Sequence, residues 1–245
     1  MNFVRNCILS VFCLSAMLVA SCSDGGTQNK PVAPKVEEPA LIPAPANAEA
    51  VDLGLPSGTK WANLNIGATK PEDYGVYFAW AETRGHAGDT KRKFDLVSYK
   101  WFDVEKGVYT RYCADASFGQ VDNIKFLPLE DDAARANWGE PWQLPTFDDI
   151  LELVDNTTHE WTTLNGVEGC KLTSKTNGNY IFFPATGCFG PTGTGSQGEY
   201  GYYWSLSLYP SDAGCARGFF FTKELARTSG SMRHLGRTVR PVSKK

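Results

Sequence analysis

Alternating apolar and polar residues predict short β-strands through the C-terminal two thirds of the chain. Runs that are rich in aromatic residues and repeat with a period of two are typical of half-buried strands. Such runs lie at 75–80, 180–183, 202–204 and 218–221, and a closing strand is expected at 239–242. Glycine-rich segments between these runs, such as 190–195, predict turns.

A helical period replaces this alternation after Thr146. The Thr146 hydroxyl can cap the first turn of a helix, and Asp149, three residues later, can reach back to complete a variant of the capping box. Apolar residues then recur at positions i, i+3, i+4 and i+7. The buried face of this helix is therefore predicted to carry Phe147, Ile150, Leu151 and Val154.

A second, shorter helix is predicted at 130–137. Ala133 and Ala134 would form its buried side, and Gly139 would end it. Two short helices among many strands predict an α+β fold class.

The first 21 residues predict an export signal. Arg5 precedes an apolar run of about 14 residues, which is shorter than the roughly 20 residues that a membrane-spanning helix needs. The residues 19–22 (VASC) resemble the lipobox of bacterial lipoproteins, in which the cysteine is acylated and becomes the new N-terminus. Lipidation at Cys22 is therefore predicted, and an ordinary signal peptide with an incidental cysteine is the alternative.

A flexible tether is expected at 22–50. Prolines recur there among alanine, glutamate and asparagine, without the apolar periodicity that folding requires. The rest of the chain, 51–245, has no second proline-rich break and is predicted to form one domain.

Composition and charge narrow the class of protein. The chain has 245 residues, 42% hydrophobic and 21% charged, which fits a globular protein and excludes disorder throughout or a long coiled coil. The net charge is −3, so the basic excess typical of nucleic-acid-binding proteins is missing. We expect no nucleic-acid partner.

Several motifs spaced along 51–242 follow a recognisable order. They are 51–62 (VDLGLPSGTKWA), 65–68 (NIGA), 77–83 (YFAWAET), 131–134 (DDAA), 142–146 (WQLPT), 183–187 (FPATG), 203–205 (YWS) and 236–242 (GRTVRPV). Together they resemble the Fibrobacter succinogenes major paralogous domain family of Bacteroidetes lipoproteins.

This resemblance implies a C-type lectin-like fold with two short helices and small antiparallel sheets. The two ends of such a domain meet in a small sheet, and a long loop region presents a binding surface. Tryptophans inside the motifs are expected in the core: Trp61, Trp80, Trp142 and Trp204.

The resemblance and the export signal together imply an outer-membrane lipoprotein of the bacterial cell envelope, held to the membrane by its N-terminal lipid. Exposure at the cell surface is one option. The function expected is binding of a glycan or protein ligand without catalysis. The alternatives are a structural or accessory subunit of a surface or fimbrial assembly, and an enzyme with an unrecognised site.

Four cysteines follow the lipidation site: Cys113, Cys170, Cys188 and Cys215. Four cysteines allow three pairings, and an oxidising envelope permits disulfides. Comparison with the family places Cys188 and Cys215 on neighbouring late strands, which favours a 188–215 bridge and leaves 113–170. Four buried thiols are the alternative.

No catalytic, cofactor or metal site is predicted. The acidic pairs Asp131-Asp132 and Asp148-Asp149 are adjacent in sequence, and adjacent helical residues do not face each other. No segment offers the six to eight oxygens that calcium takes. Trp101 and Tyr202, near predicted turns, are the candidate ligand contacts because aromatic faces stack on sugar rings or protein side chains. The polar segment 189–199 is a candidate binding loop.

Overall fold

The computed structural model describes residues 38–244. The predicted export signal at 1–21, the lipidation site Cys22 and the segment 22–37 lie outside the described residues.

The described chain forms short strands, two α-helices and a 3₁₀ turn. The strands are β1 (Ala50–Val51), β2 (Lys60–Ala62), β3 (Phe102–Asp103), β4 (Val108–Tyr109), β5 (Trp142–Gln143), β6 (Thr157–Leu164), β7 (Val167–Ser174), β8 (Tyr180–Pro184), β9 (Cys188–Gly190), β10 (Gly193–Gly195), β11 (Gly201–Leu208), β12 (Cys215–Phe221), β13 (Ala226–Met232) and β14 (Val242–Ser243). The helices are α1 (Ala133–Trp138) and α2 (Phe147–Asn156), and the 3₁₀ turn is Leu129–Asp131. Small antiparallel sheets with few helices fit the α+β class.

The two ends of the described chain meet in one sheet, as expected. Its strand order is β1-β2-β14-β5, and Val242 of β14 lies opposite Trp61 of β2. The predicted closing strand at 239–242 is reduced to Val242–Ser243. The sheet brings residues about 180 positions apart into register, so it closes the fold.

Two three-stranded meanders carry most of the remaining strand pairing, in the orders β6-β7-β8 and β11-β12-β13. The predicted strands at 180–183, 202–204 and 218–221 are confirmed within β8, β11 and β12. The β6–β7 hairpin is not among the sequence predictions. Its turn is Asn165-Gly166, with φ of 49° and 86°, and this residue pair favours the two-residue turn that matches strand twist.

One other strand prediction needs correction, and one turn prediction is refined. At 75–80 only isolated bridges form, from Tyr77 to His86 and from Phe78 to Arg237. The turn predicted within 190–195 lies at 191–192, where it joins β9 to β10, and these two strands pair with Gly193 opposite Gly190.

The start of α2 confirms the predicted cap. The Thr146 hydroxyl accepts a hydrogen bond from the Asp149 amide at 3.0 Å, and the Thr146 amide donates to Asp149 Oδ2 at 2.7 Å. The predicted buried face is partly wrong: Ile150 and Leu153 are fully buried, whereas Leu151 is 38% exposed. The helix packs against the β11–β13 sheet, which rotates the buried face by one position.

The shorter helix, α1, begins later than predicted because Asp132 is its cap. Asp132 Oδ1 accepts hydrogen bonds from the amides of Ala134 and Arg135. The burial of Ala133 and Ala134 is confirmed, and Gly139, at φ 68°, ends the helix as predicted.

The folded unit begins at Glu38, so the expected tether is too long at its C-terminal end. Ile42, Ala44 and Ala48 pack on the core, and the Ile42 amide donates to Asn137 Oδ1 at 2.8 Å. Apolar contact and a backbone hydrogen bond fix this segment despite its prolines.

The core is aromatic, and the four motif tryptophans lie in it as predicted. Trp61, Trp80 and Trp204 are each 1% exposed and Trp142 is 8% exposed. The C-terminal segment crosses this core with buried arginines at positions 233, 237 and 240. Carbonyl or hydroxyl oxygens accept hydrogen bonds from all three side chains.

Candidate binding groove

The predicted ligand contact at Tyr202 is wrong. Tyr202 is 3% exposed, and its hydroxyl donates to the Ser229 carbonyl at 2.7 Å. Burial raises the pKa of this hydroxyl above its ordinary value. The side chain is part of the core, since Arg237 lies 4.8 Å over its ring.

Trp101 is half-buried, and its surroundings hold it in place. Its indole N–H donates to the Ala81 carbonyl at 2.9 Å. Two cations lie over its ring: Lys100 at 4.3 Å and Arg111 at 5.1 Å. Its ring also meets the edge of Tyr112, with centroids 5.7 Å apart. A ligand that stacked on Trp101 would have to displace one of these cations.

The predicted disulfides are absent from the structure. Cys188 lies in β9 opposite Gly195, whereas Cys215 lies in β12 opposite Met232, so the two belong to different sheets.

The other predicted pair is not joined either. Cys170 lies in β7 opposite Phe183, and burial raises the pKa of its thiol. Cys113 lies between β4 and α1, and its thiol donates to the Asp115 carbonyl at 3.0 Å. None of the four cysteines is joined by a disulfide in the described structure.

Asp131 and Asp132 each have a structural role, with different hydrogen-bond partners. Asp132 caps α1 and also accepts from the Leu144 amide at 2.9 Å, while burial raises the pKa of its carboxyl. Asp131 accepts from the Arg111 guanidinium at 2.7 Å and from the Tyr112 hydroxyl. The two carboxylates are therefore bound by different partners and do not act on one point in space.

Potential metal ligands do not gather in the part of the chain that the structure describes. No group of three or more histidine, cysteine, aspartate or glutamate side chains within 38–244 is placed to hold a metal ion.

No helix among the described residues is both long enough and apolar enough to cross a lipid bilayer.

A groove of about 360 Å³ opens where α2 begins beside the end of β11. Five separate segments build it: Ala114 in the loop after β4, the residues before the 3₁₀ turn, the start of α2, the end of β11 with its following turn, and β12. The lining residues are Ala114, Lys125, Phe126, Thr146, Phe147, Asp148, Ser207, Leu208, Tyr209, Pro210 and Arg217.

Aromatic faces and cations dominate this groove. The Arg217 guanidinium lies 3.7 Å over the Phe147 ring and 5.8 Å from the Tyr209 ring. Phe126 is 59% exposed, a large fraction for a phenylalanine. Gly230 of β13 leaves room for the Tyr209 ring, because a Cβ there would lie 2.8 Å from Tyr209 Cδ2.

The groove's two cations form no ion pair. Within 38–244, neither Lys125 nor Arg217 is within salt-bridge distance of a carboxylate. Asp148 lies exposed on the rim and is the groove's one carboxylate. The lining therefore carries a net single positive charge at neutral pH.

Several polar groups in the groove walls already have partners inside the protein. The Phe147 amide donates to Ser207 Oγ at 3.2 Å, and the Leu208 amide donates to the Lys125 carbonyl at 2.8 Å. The Thr146 hydroxyl is engaged in the capping box. The charged ends of Lys125 and Arg217 are left as the groove's strongest hydrogen-bond donors.

A second groove of similar volume continues from the first and shares Ala114, Leu208, Tyr209 and Pro210 with it. The acidic side chains of this second groove form hydrogen bonds with nearby backbone amides. Asp115 accepts from the Ser117 amide, and Asp212 accepts from the Gly214 amide, both at 2.8 Å. The two grooves form one trough, cationic at one end.

Sequence reasoning missed this trough because its parts are distant along the chain. Arg217 comes just before the strand predicted at 218–221, and Phe126 lies in no predicted element. The only local signal was the helix start at Thr146, which places Phe147 in the groove wall.

Comparison with known proteins yields no match: no protein-family model, no curated protein and no solved structure is similar to this chain.

Proposed function

We propose that this chain is a lipid-anchored protein of the bacterial cell envelope whose domain binds a glycan or protein ligand without catalysing a reaction. The trough beside α2 carries this proposal. It combines a concave surface, the exposed ring of Phe126 beside two half-buried aromatic rings, and two cations that form no ion pair within 38–244, which are features of a binding site.

A C-type lectin-like fold and membership of the Fibrobacter succinogenes major paralogous domain family are part of the same proposal. The meeting of the chain's two ends in one sheet supports it, as does the burial of the four motif tryptophans. The acidic pair at 131–132 supports a binding role over a catalytic one, because both carboxylates are engaged in holding the fold.

The anchor is tested by labelling. Cells that express the full chain are grown with a palmitate analogue, and the incorporated label is measured for wild type, Cys22→Ala and Cys13→Ala. Wild type and Cys13→Ala, whose change lies inside the export signal, should be labelled equally. Cys22→Ala should carry no label, and a labelled Cys22→Ala protein would contradict the lipid anchor.

Ligand binding is tested with the full chain purified in detergent. A glycan array and an array of envelope proteins are probed with wild type, Phe126→Ala and Tyr180→Ala. Tyr180 is the matched control, since it is 56% exposed but lies on β8, outside the trough. We expect Phe126→Ala alone to lose signal. Equal signals from all three proteins, or none from wild type, would count against the trough as the binding site.

A structural subunit of a surface assembly is the second candidate. The observation that favours it is β13, which is the last strand of its sheet and therefore presents an edge to which another chain could add. Purification from cross-linked envelopes should then give a complex of fixed stoichiometry that resists high salt. A monomeric protein in the same preparation would exclude this role.

A further inference from the structure

We infer that the groove beside α2 takes a peptide segment in which an apolar side chain lies next to a carboxylate. This inference rests on the proposed binding function and selects a protein ligand over a glycan.

Charge selects the anionic part of the ligand. Lys125 and Arg217 line the groove without an ion pair inside the described structure, against the single exposed carboxylate of Asp148. Two cations that form no ion pair within the described structure attract a negative group and lose little when that group replaces water.

The stacking of Arg217 favours a carboxylate in particular. Its guanidinium lies 3.7 Å over the Phe147 ring, so one flat face is covered. A stacked guanidinium keeps its N–H groups at the edge of the plane, where a carboxylate can accept two parallel hydrogen bonds. Because Phe147 is fixed at the first turn of α2, the arginine is held ready before the ligand arrives.

The rest of the wall selects the apolar part of the ligand. Phe126, Phe147, Leu208 and Pro210 offer carbon surface, and the amides of Phe147 and Leu208 already donate within the protein. Each sugar ring brings several hydroxyls that need hydrogen-bond partners, and the Thr146 hydroxyl is held in the helix cap. An aromatic or aliphatic side chain needs no such partner and loses its contact with water against these rings.

The shape of the trough fits a chain that continues past the groove. The second groove shares Leu208, Tyr209 and Pro210 with the first, so an extended segment can run from one into the other. A peptide has this extended form, whereas a single small anion would fill only the cationic end.

Three ligands of known composition test the inference by fluorescence polarisation and competition. The first is a labelled peptide, acetyl-Gly-Phe-Asp-Gly-amide, and the second is the same peptide with asparagine in place of aspartate. The third, trigalacturonate, serves as an unlabelled competitor that carries carboxylates on sugar rings. The protein is the full chain in detergent.

We expect the aspartate peptide to bind at least about tenfold more tightly than the asparagine peptide, as the loss of a charge-assisted hydrogen bond predicts. Arg217→Gln and Lys125→Gln should each weaken binding of the aspartate peptide, while Arg227→Gln should not. Arg227 is the matched control, because it lies on β13 with its guanidinium 5.9 Å from the Phe220 ring, outside the groove. Lys125 is exposed, so its substitution reports on binding even if Arg217→Gln folds poorly.

Equal affinity for the two peptides, or binding that ignores both groove cations, would overturn the inference. Arg217-dependent binding of trigalacturonate measured directly by calorimetry, with no binding of the aspartate peptide, would also overturn it but would leave the proposed ligand-binding function intact. Failure of the proposed function itself would appear separately, as the absence of any Phe126-dependent signal on the arrays.

Discussion

Arg217 and Arg240 both lie over a phenylalanine ring, yet their surroundings differ. Arg240 is fully buried 4.5 Å from Phe183, and its three nitrogens donate to Asn65 Oδ1, the Ala62 carbonyl and the Phe182 carbonyl at 2.8–3.0 Å. Burial lowers the pKa of Arg240 to about 10, so the side chain stays charged at neutral pH.

Arg217 is only partly buried, and within 38–244 it has neither an ion pair nor three internal acceptors. The comparison separates two uses of a stacked arginine. Each nitrogen of Arg240 donates to an internal acceptor, and two of these acceptors, the Ala62 and Phe182 carbonyls, lie in strands of different sheets. In the groove the donors face solvent and remain available to a ligand. For these two residues, the number of internal acceptors separates the structural role of Arg240 from the binding role proposed for Arg217.

The largest effect is expected from Arg240→Met, which keeps a long apolar side chain but removes every donor. It would leave three buried acceptors without a partner, each costing about 1–3 kcal/mol, so the free energy of unfolding should fall by about 3 kcal/mol or more. Urea unfolding measures this loss, and Arg217→Met, treated identically, should lose less than about 1 kcal/mol. Similar losses of stability for the two variants would contradict the distinction between a structural arginine and a binding arginine.

Ile150→Ala tests whether core packing stabilises α2, the helix that places Phe147 in the groove wall. Ile150 is fully buried, and its truncation should lower the free energy of unfolding by about 2–5 kcal/mol. Leu151→Ala is the matched control, because Leu151 is 38% exposed on the same helix and should lose much less. Thermal melts of both variants show which face of α2 is buried. A larger loss of stability for Leu151→Ala would show that α2 is rotated about its axis relative to the orientation described here.

Thr146→Ala affects the same wall more weakly. It removes the hydroxyl that accepts from the Asp149 amide at 3.0 Å, and a lost helix cap costs about 0.5–2 kcal/mol. Thr146→Ser, which keeps the hydroxyl, should retain most of the stability in urea unfolding. If alanine and serine behaved alike, the cap would contribute nothing to the start of the helix that carries Phe147.

The smallest expected change in stability involves a third arginine, Arg92, which pairs with an acidic residue. Arg92 pairs with Glu82 and lies 3.2 Å from His86 Nε2. Burial, and then the charge of Arg92, lowers the pKa of His86 to about 4.

Since the unfolded histidine titrates near 6.5, the unfolded chain binds more protons between about pH 6.5 and 4. Stability contributed by neutral His86 should therefore be lost as pH falls through this window. Urea midpoints at pH 8 and pH 5 should differ less for His86→Gln than for wild type. If the two midpoints differed as much for His86→Gln as for wild type, the lowered pKa of His86 would be contradicted.

The local signals in the sequence predicted local structure well. The capping box at Thr146 and Asp149 and the helix stop at Gly139 were read correctly, because each acts through hydrogen bonds or dihedral angles within a few residues. Burial of the motif tryptophans followed from large apolar area, which favours the core wherever the chain places it.

Tertiary packing decided the rest. The sheet below α2 selected Leu153 over Leu151, and the separation of β9 from β12 kept Cys188 away from Cys215. Tyr202 is not a ligand contact because Trp204 and Phe220 pack against its ring and the side chain is buried. Local sequence patterns do not indicate such tertiary contacts.

The sequence by itself determined the α+β class, the helix caps and the aromatic residues available for a core. Only the tertiary structure determined the groove, because the segments of Lys125, Phe147 and Arg217 are distant along the chain and are each joined to the end of β11 by a β-bridge, a hydrogen bond or strand pairing. Short-range hydrogen bonds and burial preferences are encoded within a few neighbouring residues, whereas a concave site depends on which distant segments the whole fold brings together.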